Sequence, residues 1–172
     1  MTQDNQIINK NYPEFDKKFF PVIYVNFKKS IDDESFKYFT NQWLECYKYG
    51  KDFTFVFNCQ EIAWFNPKYC YRLAQFMKNL RKKKEELPYL KTSIVILQNS
   101  FIRKLVNLVF SLQPPQSHVY LAPDMTHATG ILRGNQDFIQ NCSSIPPDTK
   151  IKLKKSDRLT QEQLKQMEKN AH

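Results

Sequence analysis

Apolar residues recur along the chain with two different periods, and stretches with the two periods alternate. Residues 19–27 and 92–97 are rich in apolar, β-branched and aromatic residues, which predicts buried strands. Residues 52–58 alternate three phenylalanines with threonine and valine, so this strand is apolar on both faces and is expected inside a sheet covered by helices. Residues 118–121 predict a short fourth strand.

Helical patterns lie between these strands. Ser30 is predicted to cap a first helix, Asn66 followed by proline a second, and Asn99 or Ser100 a third. Each helix carries an apolar stripe spaced by three or four residues, and a shorter helix is predicted at 126–132. The order β-α-β-α-β-α-β predicts an α/β fold with a central, mostly parallel sheet of four or five strands covered by helices.

The two ends of the chain have a different composition from its middle. Residues 1–18 are polar and rich in asparagine, which predicts a flexible arm. The α/β domain is expected over residues 19–133. Residues 134–172 predict a polar, lysine-rich tail, ordered only by partners, with a short helix near 160–170 that begins in a capping box at Thr160.

Composition argues against several kinds of site. Only three glycines are present, and no glycine-rich phosphate loop follows any predicted strand. The four cysteines form no C-x-x-C pair, so neither a metal site nor a cofactor is predicted. Reduced, partly buried thiols indicate an intracellular, reducing compartment: the cytoplasm by default, with a mitochondrial complex left open. The sequence contains no run of 18 or more apolar residues, so no transmembrane segment is predicted.

The net charge of +9 comes mainly from lysine. Lysine reads phosphates and bases with less geometric selectivity than arginine, so the charge leaves nucleic acid open as a partner but favours protein. Two basic clusters stand out. They comprise Arg81, Lys82, Lys83 and Lys84 at the end of the second helix, and Lys150, Lys152, Lys154 and Lys155 in the tail.

One acid–base pair lies where ligands bind in open α/β sheets. Asp124 and His127 follow the last predicted strand of the domain, at the carboxyl edge of the sheet. No nucleophile motif accompanies them, so catalysis is not predicted and an enzyme using this pair stays a secondary alternative.

The segment from Phe57 to Lys68 resembles the core motif of STAS domains. In that motif a strand ends in Asp, a loop carries two hydrophobic residues two positions apart, and a helix begins at a serine. Here Asn58 stands in the Asp position, and Ile62 and Trp64 match the hydrophobic pair. The resemblance covers about residues 19–133 and is nearest to STAS-like proteins of protists and large DNA viruses.

The resemblance implies a non-catalytic protein-interaction module, an adaptor or accessory subunit of a larger assembly. In bacterial relatives the serine at the helix start is phosphorylated; here Asn66, Pro67 and Lys68 stand there, so that switch is absent. The contact surface implied by the family comprises Glu61, Trp64, Asn66, Lys68 and Tyr71. Lys68 adds an argument of its own, because a cation in the first turn opposes the helix dipole and suggests a function outside the fold.

A CRAL-TRIO-like lipid-binding protein is the alternative function. Its lipid-binding floor has a strand–helix–proline–strand order similar to residues 93–121. Bound lipid in the purified protein would distinguish a carrier from an interaction module.

Overall fold

A computed structural model describes residues 11–170, which form one six-stranded sheet with helices on both faces. The strands are β1 (Glu14–Asp16), β2 (Val22–Asn26), β3 (Phe53–Asn58), β4 (Leu90–Ile96), β5 (His118–Ala122) and β6 (Ser143–Ile145). The helices are α1 (Asp33–Tyr47), α2 (Lys68–Lys82), α3 (Ser100–Leu112), α4 (Met125–Leu132), α5 (Gln136–Asn141) and α6 (Gln161–Asn170), with a 3₁₀ turn at Lys155–Asp157.

The strands lie side by side in the order in which they occur in the chain. The four strands β2 to β5 are parallel, and β1 and β6 pair antiparallel at the two edges. The α/β class and the mostly parallel sheet are therefore confirmed, with six strands rather than four or five. Because right-handed crossovers joining neighbouring strands in sequential order all return over the same face, α1, α2 and α3 share one face of the sheet.

The face under α1, α2 and α3 has an aromatic core. Phe53, Phe55 and Phe57 point to this face from β3, and all three are buried. Trp43 of α1 lies against Phe55 with ring centroids 5.2 Å apart. The prediction that 52–58 is an interior strand is confirmed, since β3 lies between β2 and β4 and Val56 is buried on its other face.

The opposite face is covered by α4 and α5. Here Val56, Ile94 and Ile96 of the sheet pack with Ala128 and Ile131 of α4. Small residues let α4 and α5 approach each other closely. A Cβ added to Gly130 would lie 2.4 Å from a ring carbon of Phe138 in α5.

The predicted start of α1 differs from what the structure shows. Ser30 does not cap α1; Asp32 does, by accepting from the backbone N–H of Ser35 at 2.7 Å while the Ser35 hydroxyl accepts from Asp32 N–H at 2.9 Å. An acidic cap followed by further acids in the first turn suits the positive end of the helix better than Ser30 does. Asn66 still caps α2 locally, because its Oδ1 accepts from Lys68 N–H at 3.0 Å.

The sheet and its packing extend beyond residues 19–133. The first strand, β1, lies in the predicted arm and adds Phe15 to the aromatic core, whereas β6 lies in the predicted tail. Residues that follow β6 run along α3: Asn107 donates to Asp157 at 2.8 Å, and Lys104 donates to the carbonyl of Arg158 at 3.0 Å. The predicted tail thus pairs with β5 through β6 and contacts α3 as far as Gln163, so the expectation that only a partner orders it does not hold over that stretch.

Candidate functional site

The predicted contact residues lie at the carboxyl edge of the sheet, in the loop from β3 to α2 and in the first turn of α2. Backbone hydrogen bonds fix this loop. Cys59 N–H donates to the carbonyl of Ile96, and Ala63 N–H donates to the carbonyl of Lys29, both at 2.9 Å. Ile62 is buried and anchors the loop to the core. The loop is therefore a built part of the domain that holds the start of α2 in place.

The five residues are not equivalent once folded. Trp64 is half-buried and packs on the aromatic core, so most of its indole serves the fold. Asn66 is occupied as a cap. Glu61 and Lys68 are exposed, and Tyr71 is an aromatic side chain that is 57% exposed.

Lys68 was singled out because a cation opposes the dipole at a helix start, but the folded chain gives it a partner that this local reasoning did not consider. Its Nζ lies 3.4 Å from the Asp33 carboxylate, which belongs to the first turn of α1. Arg72 Nη1 and the Tyr69 hydroxyl also donate to Asp33, at 2.7 and 2.8 Å. These contacts cross from α2 to α1, so the cation at the start of α2 is compensated by an acid that the sequence places in another helix.

The contacts around Asp33 shift the pKa values of Asp33 and Tyr69. The hydrogen bonds from Tyr69 and Arg72, with the nearby Lys68 charge, lower the pKa of Asp33 to about 2. Burial and the Asp33 carboxylate raise the pKa of Tyr69 to about 12. Asp33 is thus ionised, and Tyr69 protonated, throughout the range in which proteins function.

The cations of this cluster are part of a longer basic surface along the exposed side of α2. Between residues 62 and 84 the sequence has seven cations and no acid. The exposed side chains recur at helical spacing, and we call them the basic face of α2: Lys68, Tyr71, Arg72, Gln75, Lys78, Asn79 and Lys82. Prediction from the sequence missed Arg72, Lys78 and the two amides. They could have been found as the complement of the apolar stripe on the same helix.

The basic cluster that follows this face divides into two parts. Arg81 is half-buried and forms an ion pair with Asp148, which lies after β6. Lys82 already belongs to the basic face of α2, and the exposed Lys83 and Lys84 continue that face at its carboxyl end. In the tail, the four predicted lysines Lys150, Lys152, Lys154 and Lys155 are all exposed.

Asp124 and His127 do lie together, but as a helix cap. Asp124 precedes α4, and its Oδ1 accepts from the backbone N–H of His127 at 2.8 Å and contacts His127 Nδ1 at 2.7 Å. The backbone hydrogen bond from His127 is the main cause that lowers the pKa of Asp124. The His127 ring packs edge-on against Phe138 of α5. The pair is thus accounted for by the start of α4 and its packing on α5.

A cavity of about 150 Å³ lies between the sheet and the three crossover helices. Its walls are almost entirely apolar. They include Trp43, Leu73, Val95, Leu105 and Val109. Polar residues enter the lining just before β5, at Gln116 and Ser117, from β4 at Ser93 and from α1 at Ser35. The Nε2 atom of Gln116 is buried without a hydrogen-bond partner among the described residues.

The cysteines and acids of the described chain show no reactive or metal-binding cluster. All four cysteines are free thiols, and burial raises the pKa of Cys46 to about 11 and of Cys59 and Cys70 to about 12. Within residues 11–170 no three His, Cys, Asp or Glu side chains are placed to hold a metal ion. None of the helices in that range is both long and apolar enough to cross a membrane.

Comparison with known proteins gives no relative. No protein-family model, curated protein or solved structure matches the chain.

Proposed function

We propose that the protein is a non-catalytic interaction module, an adaptor or accessory subunit, that binds an acidic protein surface through the basic face of α2. The observation that carries the proposal is that this face combines exposed cations with an exposed tyrosine, while α2 itself contains no acid. Tyrosine and arginine are enriched among residues that dominate binding energy, and a one-signed surface steers an oppositely charged partner.

Lys78 and Lys82 are the positions that test this surface most directly. Both are exposed, whereas Lys68 and Arg72 are also used to hold Asp33 of α1. Reversal of Lys68 would place an acid beside Asp33 and so mix partner binding with helix packing. Neither Lys78 nor Lys82 holds Asp33, so their reversal acts mainly on the charge that the partner meets, with a small cost at Lys82 from the negative end of the helix.

The experiment is affinity capture from the native source with three forms of the protein. The variant Lys78→Glu/Lys82→Glu reverses the basic face, and Lys37→Glu/Lys51→Glu makes the same change of net charge at exposed lysines elsewhere. We expect a specific partner to be lost with the first variant, retained with the second, and released from the wild type by raised salt. A partner captured equally by both variants would remove α2 as the site.

Nucleic acid is the competing occupant of a basic face. It would be recognised by salt-dependent binding of an RNA oligonucleotide that the Lys78→Glu/Lys82→Glu variant loses, with capture of protein abolished by nuclease. That pattern would contradict the protein partner. The low arginine share of the face, with Arg72 its single guanidinium, favours protein.

A lipid carrier and an enzyme are the two alternative functions, and the structure gives each of them less support. A lipid carrier needs room for its ligand, and the cavity of about 150 Å³ is smaller than the roughly 300–1,000 Å³ of typical small-molecule sites. An enzyme using Asp124 and His127 needs a third reacting group, and both side chains are already engaged at the start of α4.

A further inference from the structure

The cavity beneath the crossover helices is apolar over most of its wall but has a polar end. Gln116 lies there, and among the described residues its buried Nε2 donor has no acceptor; Ser117 and Ser93 at the same end are 8% and 5% exposed. A buried amide donor that makes no hydrogen bond costs free energy, so folded proteins rarely retain one without an occupant or a water to satisfy it.

From this geometry we infer that the cavity binds a small, mainly apolar molecule that carries one hydroxyl or carbonyl group. The apolar part lies among Trp43, Leu73 and Val109, and the oxygen accepts from Gln116 Nε2. This ligand is separate from the acidic protein proposed for the outer face of α2.

Size sets the class of ligand. A cavity of about 150 Å³ lined mostly by apolar side chains is large enough for a molecule of the size of benzene. A single six-membered ring with one substituent therefore fits, whereas a phospholipid or a nucleotide does not. Benzyl alcohol represents the class, and toluene is its matched control, since it has the same ring without the oxygen.

The first test uses the wild-type protein. Benzyl alcohol is titrated while the methyl resonances are followed by NMR. We expect saturable shifts at Val95, Leu105 and Val109, which line the cavity, and no shifts at Ile94 and Ile96, which face α4 on the other side of the sheet. Absence of saturable shifts, or shifts of equal size on both faces, would overturn the proposal.

The second test examines the polar end. Gln116→Met keeps the length of the side chain but removes the donor, and Gln75→Met makes the same change on the exposed face of α2. We expect Gln116→Met to weaken benzyl alcohol binding about fivefold, the value of one ordinary hydrogen bond, and to leave toluene binding unchanged or stronger. Gln75→Met should alter neither. Benzyl alcohol affinity that is unchanged by Gln116→Met, or an equal loss for both ligands, would show that Gln116 does not contact the oxygen.

Discussion

The two faces of the sheet are covered in different ways. On one face, three long helices bury interlocking aromatic rings, among them Trp43, Phe55 and Phe57. On the other face, α4 and α5 cover a cluster in which Val56 and Ile94 are fully buried, whereas Tyr24 and Tyr120, level with them on β2 and β5, remain half-buried. The difference follows from strand order, because sequential parallel strands send every crossover helix to the same side.

The two faces of the central strands are apolar for different physical reasons. On the face covered by α1, α2 and α3, large rings fill most of the space between the helices and the sheet, and the cavity is the part that they leave unfilled. On the other face, Ala128 and Gly130 are buried, so α4 can lie close to the sheet and to α5. Packing on the first face depends on the volume of large side chains, and packing on the second depends on the close approach of α4 to its neighbours. Substitutions on the two faces should therefore differ in their effect on stability.

The largest effect is expected from a charge placed under the crossover helices. Val95 is 7% exposed on the helix-covered face of β4, and Val95→Asp buries an acid among apolar groups there. We expect a loss of more than about 3 kcal/mol in the free energy of unfolding, measured by urea denaturation. The control is Thr92→Asp on the same strand, facing the other side and half-buried, which should cost about 1 kcal/mol. Similar losses from both changes would contradict the difference between the faces.

A smaller loss is expected from an added methyl group on the second face. In Gly130→Ala the new Cβ would lie 2.4 Å from Phe138, and the clash should cost about 1–3 kcal/mol, more than the roughly 1 kcal/mol that alanine gains over glycine in a helix. In a Phe138→Ala background the same substitution meets no ring and should be neutral or stabilising. Stabilisation by the single change would mean that α5 is not held against α4.

Local signals in the sequence predicted most of this architecture. The alternation around Phe55 and the caps at Asn99 and Thr160 depend on residues within a few positions of each other, and the structure has all of them. The start of α1 was missed because Ser30 and Asp32 can both cap a helix, and choosing between them needs the geometry of Ser35. Three-residue edge strands show no period at all, because only pairing with their neighbours makes them strands.

The candidate site was harder to predict, because it too depends on contacts between residues that are far apart in the sequence. Asp33 and Lys68 lie in different helices, so their contact depends on the fold. Exposure of Lys78 and Tyr71 could be inferred from the apolar stripe of α2, since the opposite face of such a helix meets solvent. The cavity leaves no mark in the sequence, because it is the volume that packed side chains fail to fill.

A modest effect is expected at the start of α4. Asp124→Ala removes the cap of a helix that covers the second face and should lower the melting temperature by a few degrees. Asp124→Asn should change it less, because an asparagine carbonyl can still accept from His127 N–H. Neither variant, nor His127→Ala, should alter partner capture. Loss of capture by any of them while the protein stays folded would favour a functional role for the pair.

The smallest effect is expected at Asp33, where α1 and α2 meet at the rim of the helix-covered face. Its pKa is lowered from 3.8 to about 2 by Tyr69, Arg72 and Lys68, so the folded protein binds fewer protons there than the unfolded chain. The stabilisation is therefore present above about pH 4 and is lost as the pH falls towards 2. The difference in melting temperature between wild type and Asp33→Asn should be constant at neutral pH and vanish near pH 2. Tyr69→Phe, which removes the largest cause of the lowered pKa, should reduce that difference at neutral pH. A difference that persists unchanged down to pH 2 would mean that the carboxylate charge does not hold the two helices together.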